Sequence, residues 1–260
     1  MSPQKRLDDY TKTLPIIEIY PCLQGEGKRR GHPSLIVRTT GCTHRCYFGK
    51  TGGWCDTWYS SIHAEKGRYS FHDFIKLCDR YPHIKEIMIT GGSPTLHPAI
   101  VNEIAHFAHQ RKMFVTLETE GSHFMQTDYP LDLISLSPKL TNSVPILGLK
   151  TPKGKRVDHQ FIAQHNRYRL KLDAMRAMLN AHKDYQFKPV CDGSDENFDE
   201  IQKLVKALNI PASNVYLMPA GTRRDIMIRQ YPVIMALALK TGFHFTGRDH
   251  IIAFDAQTKV

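Results

Sequence analysis

No stretch of this sequence is apolar for long enough to cross a bilayer, so a membrane-spanning class is excluded. The opening Met-Ser-Pro-Gln-Lys-Arg-Leu-Asp-Asp-Tyr lacks the apolar core of a secretory leader, and a cytoplasmic location is expected. Neither an internal repeat nor an obvious linker divides the chain. Acidic residues are in short supply: 25 Asp and Glu stand against 35 Lys and Arg, a net charge of +10. That balance suits nucleic acid, an anionic membrane surface or anionic small molecules, and alone it does not choose among them. What is present is ordinary for a globular protein, with 41% hydrophobic and 23% charged residues over 260 positions. A polar tail over residues 1–13 and one domain over 14–260 are expected.

Short β-branched runs bounded by Gly, Pro, Ser or Asp read as strands. They lie at Pro15–Tyr20, Ser34–Thr40, Ile84–Thr90, Met113–Thr119, Leu131–Ser137, Tyr185–Cys191 and Asn214–Met218. Helical patterns fall between several of them, over Ser70–Tyr81 with Ser70 as N-cap, Pro98–Gln110, Ser194–Leu208 and Thr222–Lys240. The Met and Leu stripe of the last helix reads as core. Alternation of this kind predicts an α/β fold of parallel strands with helices outside, in a barrel or an incomplete one. Active sites on such sheets lie at the carboxyl ends of strands. Residues 141–157, rich in Lys, Pro and Gly, read as a flexible excursion.

Six cysteines are present, and three of them, Cys42, Cys46 and Cys55, crowd one loop directly after a strand. In a chain without an export signal, clustered thiols point to metal binding or catalysis, not to disulfides. Cys78 and Cys191 read as small core hydrophobes and Cys22 as a non-ligand. A structural zinc wants four ligands, and His44, lying between two of the cysteines, has the wrong spacing to be the fourth. A four-iron cubane held by three cysteines keeps one iron open, which can chelate the amino and carboxylate groups of S-adenosylmethionine. Zinc and inert thiols stand as the alternatives. The glycine-rich Gly49-Lys50-Thr51-Gly52-Gly53 is not a phosphate loop, because the required earlier glycine is His44.

Gly41-Cys42-x3-Cys46 followed by Trp54-Cys55-Asp56-Thr57 resembles the radical S-adenosylmethionine superfamily. The usual second gap there is two residues; this chain has eight. One branch tolerates insertions in this loop, the 7-carboxy-7-deazaguanine synthases of queuosine and 7-deazapurine biosynthesis. Leu23-Gln24-Gly25-Glu26-Gly27 resembles that family's substrate turn, and Arg38 occupies the position that grips the substrate carboxylate. Thr90-Gly91-Gly92-Ser93-Pro94 resembles the Gly-Gly-Glu-Pro turn that meets the methionine amino group, with Ser93 in place of Glu. Glu118-Thr119-Glu120-Gly121, Ser137-Pro138-Lys139 and Met218-Pro219 match further cofactor-facing strand ends. Arg248-Asp249-His250 resembles an Arg-Leu-His preceding the last strand.

The resemblance implies an incomplete TIM-like radical barrel and a lyase. It would convert 6-carboxy-5,6,7,8-tetrahydropterin to 7-carboxy-7-deazaguanine by ring contraction with loss of ammonia. It implies a 4Fe–4S cluster on Cys42, Cys46 and Cys55, and Mg²⁺ at Thr57. S-adenosylmethionine would meet Trp54, Asp56, Gly92, Ser93, Glu118, Ser137 and Lys139. Substrate would meet Leu23, Gln24, Gly25, Glu26, Arg38, Thr90, His250 and the terminal carboxylate of Val260. An electron donor such as flavodoxin or ferredoxin and a homodimer are implied, with no membrane and no direct nucleic-acid partner. Two rivals are a glycyl-radical activase and a zinc protein that binds nucleic acid through Lys28-Arg29-Arg30 and Lys153-Gly154-Lys155-Arg156. Charge runs are mostly solvated faces, and no aromatic–basic RNA signature accompanies these two.

Overall fold

A computed structural model describes residues 7–51, 53–255 and 257. Eleven strands are present among them: β1 (Ile16–Leu23), β2 (Pro33–Thr39), β3 (Tyr47–Phe48), β4 (Gly53–Trp54), β5 (Glu86–Gly91), β6 (Phe114–Thr119), β7 (Leu133–Leu136), β8 (Tyr185–Phe187), β9 (Val190–Cys191), β10 (Tyr216–Pro219) and β11 (His244–Phe245). The helices are α1 (Phe71–Arg80), α2 (Pro98–Gln110), α3 (His159–Tyr168), α4 (Leu172–Ala181), α5 (Asp195–Ala207), α6 (Arg224–Thr241) and α7 (Asp249–Phe254).

The main sheet has the order β1-β2-β5-β6-β7-β8, and a second sheet has the order β11-β10-β9. Every neighbour pair in both is parallel except β1 with β2. A single bridge, Phe187 to Val215, links the two sheets. No sheet closes into a barrel among the described residues. The expected all-parallel set therefore needs one correction: β1 runs antiparallel to β2. The reason is local, because the short connection between them holds only a 3₁₀ turn, and a parallel crossover needs a dozen residues or more.

Period-two alternation sorts the strands' side chains. Leu35 and Val37 of β2, Ile87 and Ile89 of β5, and Val115 and Leu117 of β6 join Phe71, Phe74, Ile104 and Phe107 of the helices in one core. Their alternating neighbours Ile36, Arg38, Met88, Thr90 and Glu118 face a cavity of about 980 Å³ on the opposite side. Burying one face against helices leaves the other free for polar groups.

Caps stand where the sequence put them. Ser70 closes a capping box with Asp73, and Ser194 accepts from the Asn197 amide at the start of α5. The Tyr185–Cys191 run is two strands, since Pro189 cannot donate to a ladder and the chain crosses there from one sheet to the other. The stripe of α6 is only partly core. Met227, Ile234 and Ala238 are buried, while Ile228, Met235 and Leu239 lie exposed on its outer side. Within the expected tail, residues 1–6 lie outside the described residues, and Tyr10 packs its tilted ring on Phe71 and hydrogen-bonds Glu103. The 141–157 excursion is tied down along its length: Thr141 N donates to Glu200 and Asn142 to the Val190 carbonyl, Trp54 Nε1 donates to the Lys150 carbonyl, and His63 meets Thr151.

Candidate active site

The carboxyl ends of β2, β5, β6 and β7 meet at one end of the cavity, and the three clustered cysteines line it there. Their loop is stitched to the next turn by main-chain bonds. Ser93 N donates to the Gly41 carbonyl (2.8 Å) and Gly92 N to the Thr39 carbonyl (3.2 Å). Gly92 must be bare, because a Cβ there would lie 2.2 Å from the Gly41 oxygen and 2.5 Å from that of Ser60. The long gap between Cys46 and Cys55 is folded away as a hairpin. Tyr47 pairs with Trp54 and Phe48 with Gly53, so that Cys55 N reaches the Cys46 carbonyl at 3.1 Å. An eight-residue gap thus returns the third cysteine to the second.

Burial pushes the thiols of Cys42, Cys46 and Cys55 above the ordinary thiol range, while Lys139 opposes the shift in all three. Binding of a metal must therefore drive their deprotonation. Lys139 is anchored at 3.0 Å from Ser137 Oγ. The buried ring of His44 sits between Thr43 Oγ1 (3.2 Å) and Ser122 Oγ (3.5 Å), and burial lowers its pKa to about 2, keeping it neutral. His165 of α3 braces the same loop: Nδ1 accepts from Arg45 N at 3.0 Å, and Nε2 meets Ser143 Oγ at 3.2 Å.

Elsewhere in the cavity the lining is densely charged. Arg38 is clamped by Glu18 (2.6 Å) and touches Tyr20 (3.4 Å), and Tyr59 also reaches Glu18. The turn after β1 arrives by a different route from the parallel strand ends, curling across to β8. There Glu26 meets the fully buried Lys188, which also holds Glu118 at 2.7 Å. Arg248 spans Glu26 (2.7 Å) and Asp56, joining the turn to the cysteine loop. Against the upward push of burial, Lys188, Arg248 and His250 hold the Glu26 carboxyl well below the usual range. Likewise, burial raises and Arg248 more than offsets it at Asp56, leaving a pKa of about 2.

Most of the residues singled out from sequence line this one cavity: Leu23, Gln24, Gly25, Glu26, Arg38, the three cysteines, Trp54, Asp56, Thr57, Thr90, Gly92, Glu118, Ser137, Lys139 and His250. Several serve it differently from expectation. The Gln24 amide nitrogen donates to Ser34 Oγ (2.8 Å) and Glu86. The missing Cβ of Gly25 makes room for His250, whose Nδ1 would lie 2.4 Å from it. His250 stands in α7, not ahead of a strand. Ser93 is fully buried and donates to Glu120 at 2.7 Å. Val260 lies outside the described residues.

Sequence reading gave no role to Glu18, Tyr59 or Lys188, nor to Glu120 and Arg248, although the last two stand inside quoted motifs. A lysine inside an apolar run at a strand end was the available signal for Lys188. The Lys28-Arg29-Arg30 run is not a free basic face: each member pairs with an acid, Asp184, Glu86 and Asp249 in turn.

A mostly parallel α/β sheet thus carries three thiols on the loop after an early strand, at the mouth of a charged cleft of small-molecule size. No known family profile matches the chain. It is 33% identical over 248 residues to the 7-carboxy-7-deazaguanine synthase of Halobacterium salinarum, covering 92% of this chain and 89% of that one. It is likewise 33% identical over 240 residues to the enzyme of that name from Rhodopirellula baltica, covering 92% and 86%. Its fold is similar to a crystal structure of QueE from Escherichia coli, with a TM-score of 0.58, 18% identity and coverage of 90% and 92%. The chain belongs to the 7-carboxy-7-deazaguanine synthase family, a branch of the radical S-adenosylmethionine lyases.

The residues fit the cluster and nucleotide that this family implies. Three thiols on one loop face a cavity large enough for a nucleotide and a bicyclic ring together. A cubane places its thiolates at separate corners. Among the described residues no three His, Cys, Asp or Glu side chains converge on a single-ion position. Nor is any helix among the described residues long and apolar enough to cross a membrane.

Proposed function

We propose that this protein converts 6-carboxy-5,6,7,8-tetrahydropterin to 7-carboxy-7-deazaguanine with release of ammonia. One observation carries the reading: the cysteine loop and the Arg38, Glu26 and His250 side chains line a single cavity. Cys42, Cys46 and Cys55 would hold a 4Fe–4S cluster that, with S-adenosylmethionine and an electron from flavodoxin or ferredoxin, supplies a 5′-deoxyadenosyl radical. Everything else asked of the chain is binding and orientation, because a radical attacks the nearest hydrogen.

Arg38 holds the substrate carboxylate. Glu18 occupies its Nε and Tyr20 touches one terminal nitrogen, which leaves further guanidinium N–H groups for a bidentate grip. Glu26 accepts from ring N–H groups with the lone pairs that Lys188 and Arg248 leave open. Thr90 hydrogen-bonds Glu118 at 2.9 Å, which steadies the floor beneath the ring. Burial lifts the Cys22 thiol to about 11, so it stays protonated and unreactive beside Arg38. Trp54, Asp56, Gly92, Ser137 and Lys139 surround the nucleotide. Thr57, whose hydroxyl lies 3.3 Å from the Cys55 sulfur, would supply a hard oxygen to Mg²⁺. The enzyme works in the cytoplasm as a homodimer.

The test is anaerobic incubation of the reconstituted enzyme with S-adenosylmethionine, reductant, Mg²⁺ and the pterin. The expected product is the deazapurine, formed together with 5′-deoxyadenosine. Deoxyadenosine without deazapurine would exclude this substrate.

A further inference from the structure

The turn after β5 presents Ser93 where the superfamily pattern carries a carboxylate, yet a carboxylate stands beside it. Glu120, just beyond the end of β6, is 5% exposed and lines the same cavity. Its Oε1 accepts from Ser93 Oγ at 2.7 Å, whereas its buried Oε2 accepts from no described residue. The group closest to making an ion pair with it is His44, 4.0 Å away, a ring that burial keeps neutral. Glu120 also sits near enough to Cys42 and Cys46 for its charge to act on both thiols.

A buried carboxylate with one oxygen on a neutral hydroxyl and the other on nothing is costly to maintain. Glu120 lines the cavity beside Cys42 and Cys46, so an N–H donor of a nucleotide held at those thiols would find this oxygen unpartnered. By contrast, Glu118, two residues earlier, is committed to Lys188 and Thr90.

We propose that Glu120 Oε2 accepts an N–H from the amino group of the methionyl moiety of S-adenosylmethionine, with Ser93 as the hydroxyl that fixes the carboxylate's orientation. The carboxylate that another chain would carry on the turn is here supplied from the neighbouring strand end. This inference rests on the radical S-adenosylmethionine reading above. It would make Glu120 a cofactor-binding residue and Ser93 a positioning residue.

The experiment measures S-adenosylmethionine binding to the anaerobically reconstituted holoenzyme by equilibrium dialysis. Perturbation of the reduced cluster's electron spin resonance on adding the nucleotide is a second readout, and iron and sulfide content is the loading control. Glu120→Gln should weaken binding at least tenfold with loading unchanged. The exchange S93E/E120S should bind within about threefold of the unaltered enzyme, whereas E120S alone should not. An analogue lacking the amino group should bind E120Q and the unaltered enzyme alike. Binding by E120Q within twofold of the unaltered enzyme overturns the proposal, as does an exchange variant no better than E120S. Loss of iron from E120Q would assign Glu120 to the folding of the loop and overturn it too. An unaltered holoenzyme that binds no S-adenosylmethionine would instead defeat the functional reading itself.

Discussion

Lys188 is the residue on which the charged part of the cleft depends. It is 2% exposed and neutralises Glu26 and Glu118 together. Burial alone would discharge it, but Glu118 and Glu26 hold its pKa above the usual lysine range. Arg248 does the same for Glu26 and Asp56 from the other side. Replacing Lys188 by Met keeps the length and removes the charge, leaving two carboxylates facing each other. A loss of about 3–5 kcal/mol is expected, as for breaking a buried ion pair from one side. Urea unfolding of the metal-free protein measures it. A loss below about 1 kcal/mol would show that Glu26 and Glu118 are solvated well enough to stand alone.

Among the elements, the β3–β4 hairpin explains how an eight-residue gap serves a site that usually has two. The antiparallel pairing brings the ends together, so the register of Cys46 and Cys55 does not depend on what lies between them. Deleting residues 48–53 leaves Cys46-Tyr47-Trp54-Cys55, the short spacing, and the deletion variant is expected to load iron and sulfide as the full chain does. It forfeits the packing of Phe48 on Val190, Met218 and Ala220, so its melting temperature should fall. Iron analysis after anaerobic reconstitution is the measurement, and a variant unable to load would assign the hairpin a part in building the centre. Helix α3 contributes from the opposite side, carrying His165 to the Arg45 amide and Phe161 to the edge of Trp54.

For the molecule as a whole, stability and pH are coupled through imidazoles that the fold buries uncharged. Burial, helped by Arg169, Lys139 and Arg45, lowers the His165 pKa to about 3, against 6.5 for a free ring. Below pH 6.5 the unfolded chain binds a proton that the folded chain refuses, so stability is full above 6.5 and falls toward pH 3. The slope for one such group is about 1.4 kcal/mol per pH unit. H165N keeps a hydrogen-bonding side chain and removes the titration. Its urea midpoint should therefore change less between pH 6 and pH 4 than that of the unaltered protein. Equal slopes would place the acid sensitivity elsewhere.

Much of this was legible before any coordinates. Period-two apolar runs marked the main strands, Ser70 and Ser194 marked two helix starts, and cysteines crowded after a strand marked a loop that lines the cavity. The helices α3 and α4 went unread although Asp158 caps the first and Leu172, Met175 and Leu179 recur at helical spacing in the second. The antiparallel β1 followed from the length of its connection, but only once its partner was known. Residue types and local spacing by themselves determined the main strands and the clustering of the cysteines on one loop, because those depend on near neighbours in the chain. Only the tertiary structure decided that Lys188 lies between Glu26 and Glu118, that Gly25 yields its space to His250, and that Glu120 comes to stand behind Ser93. Those pairings join residues far apart in sequence, and their partners are fixed by how the sheets curve and which face each strand turns inward.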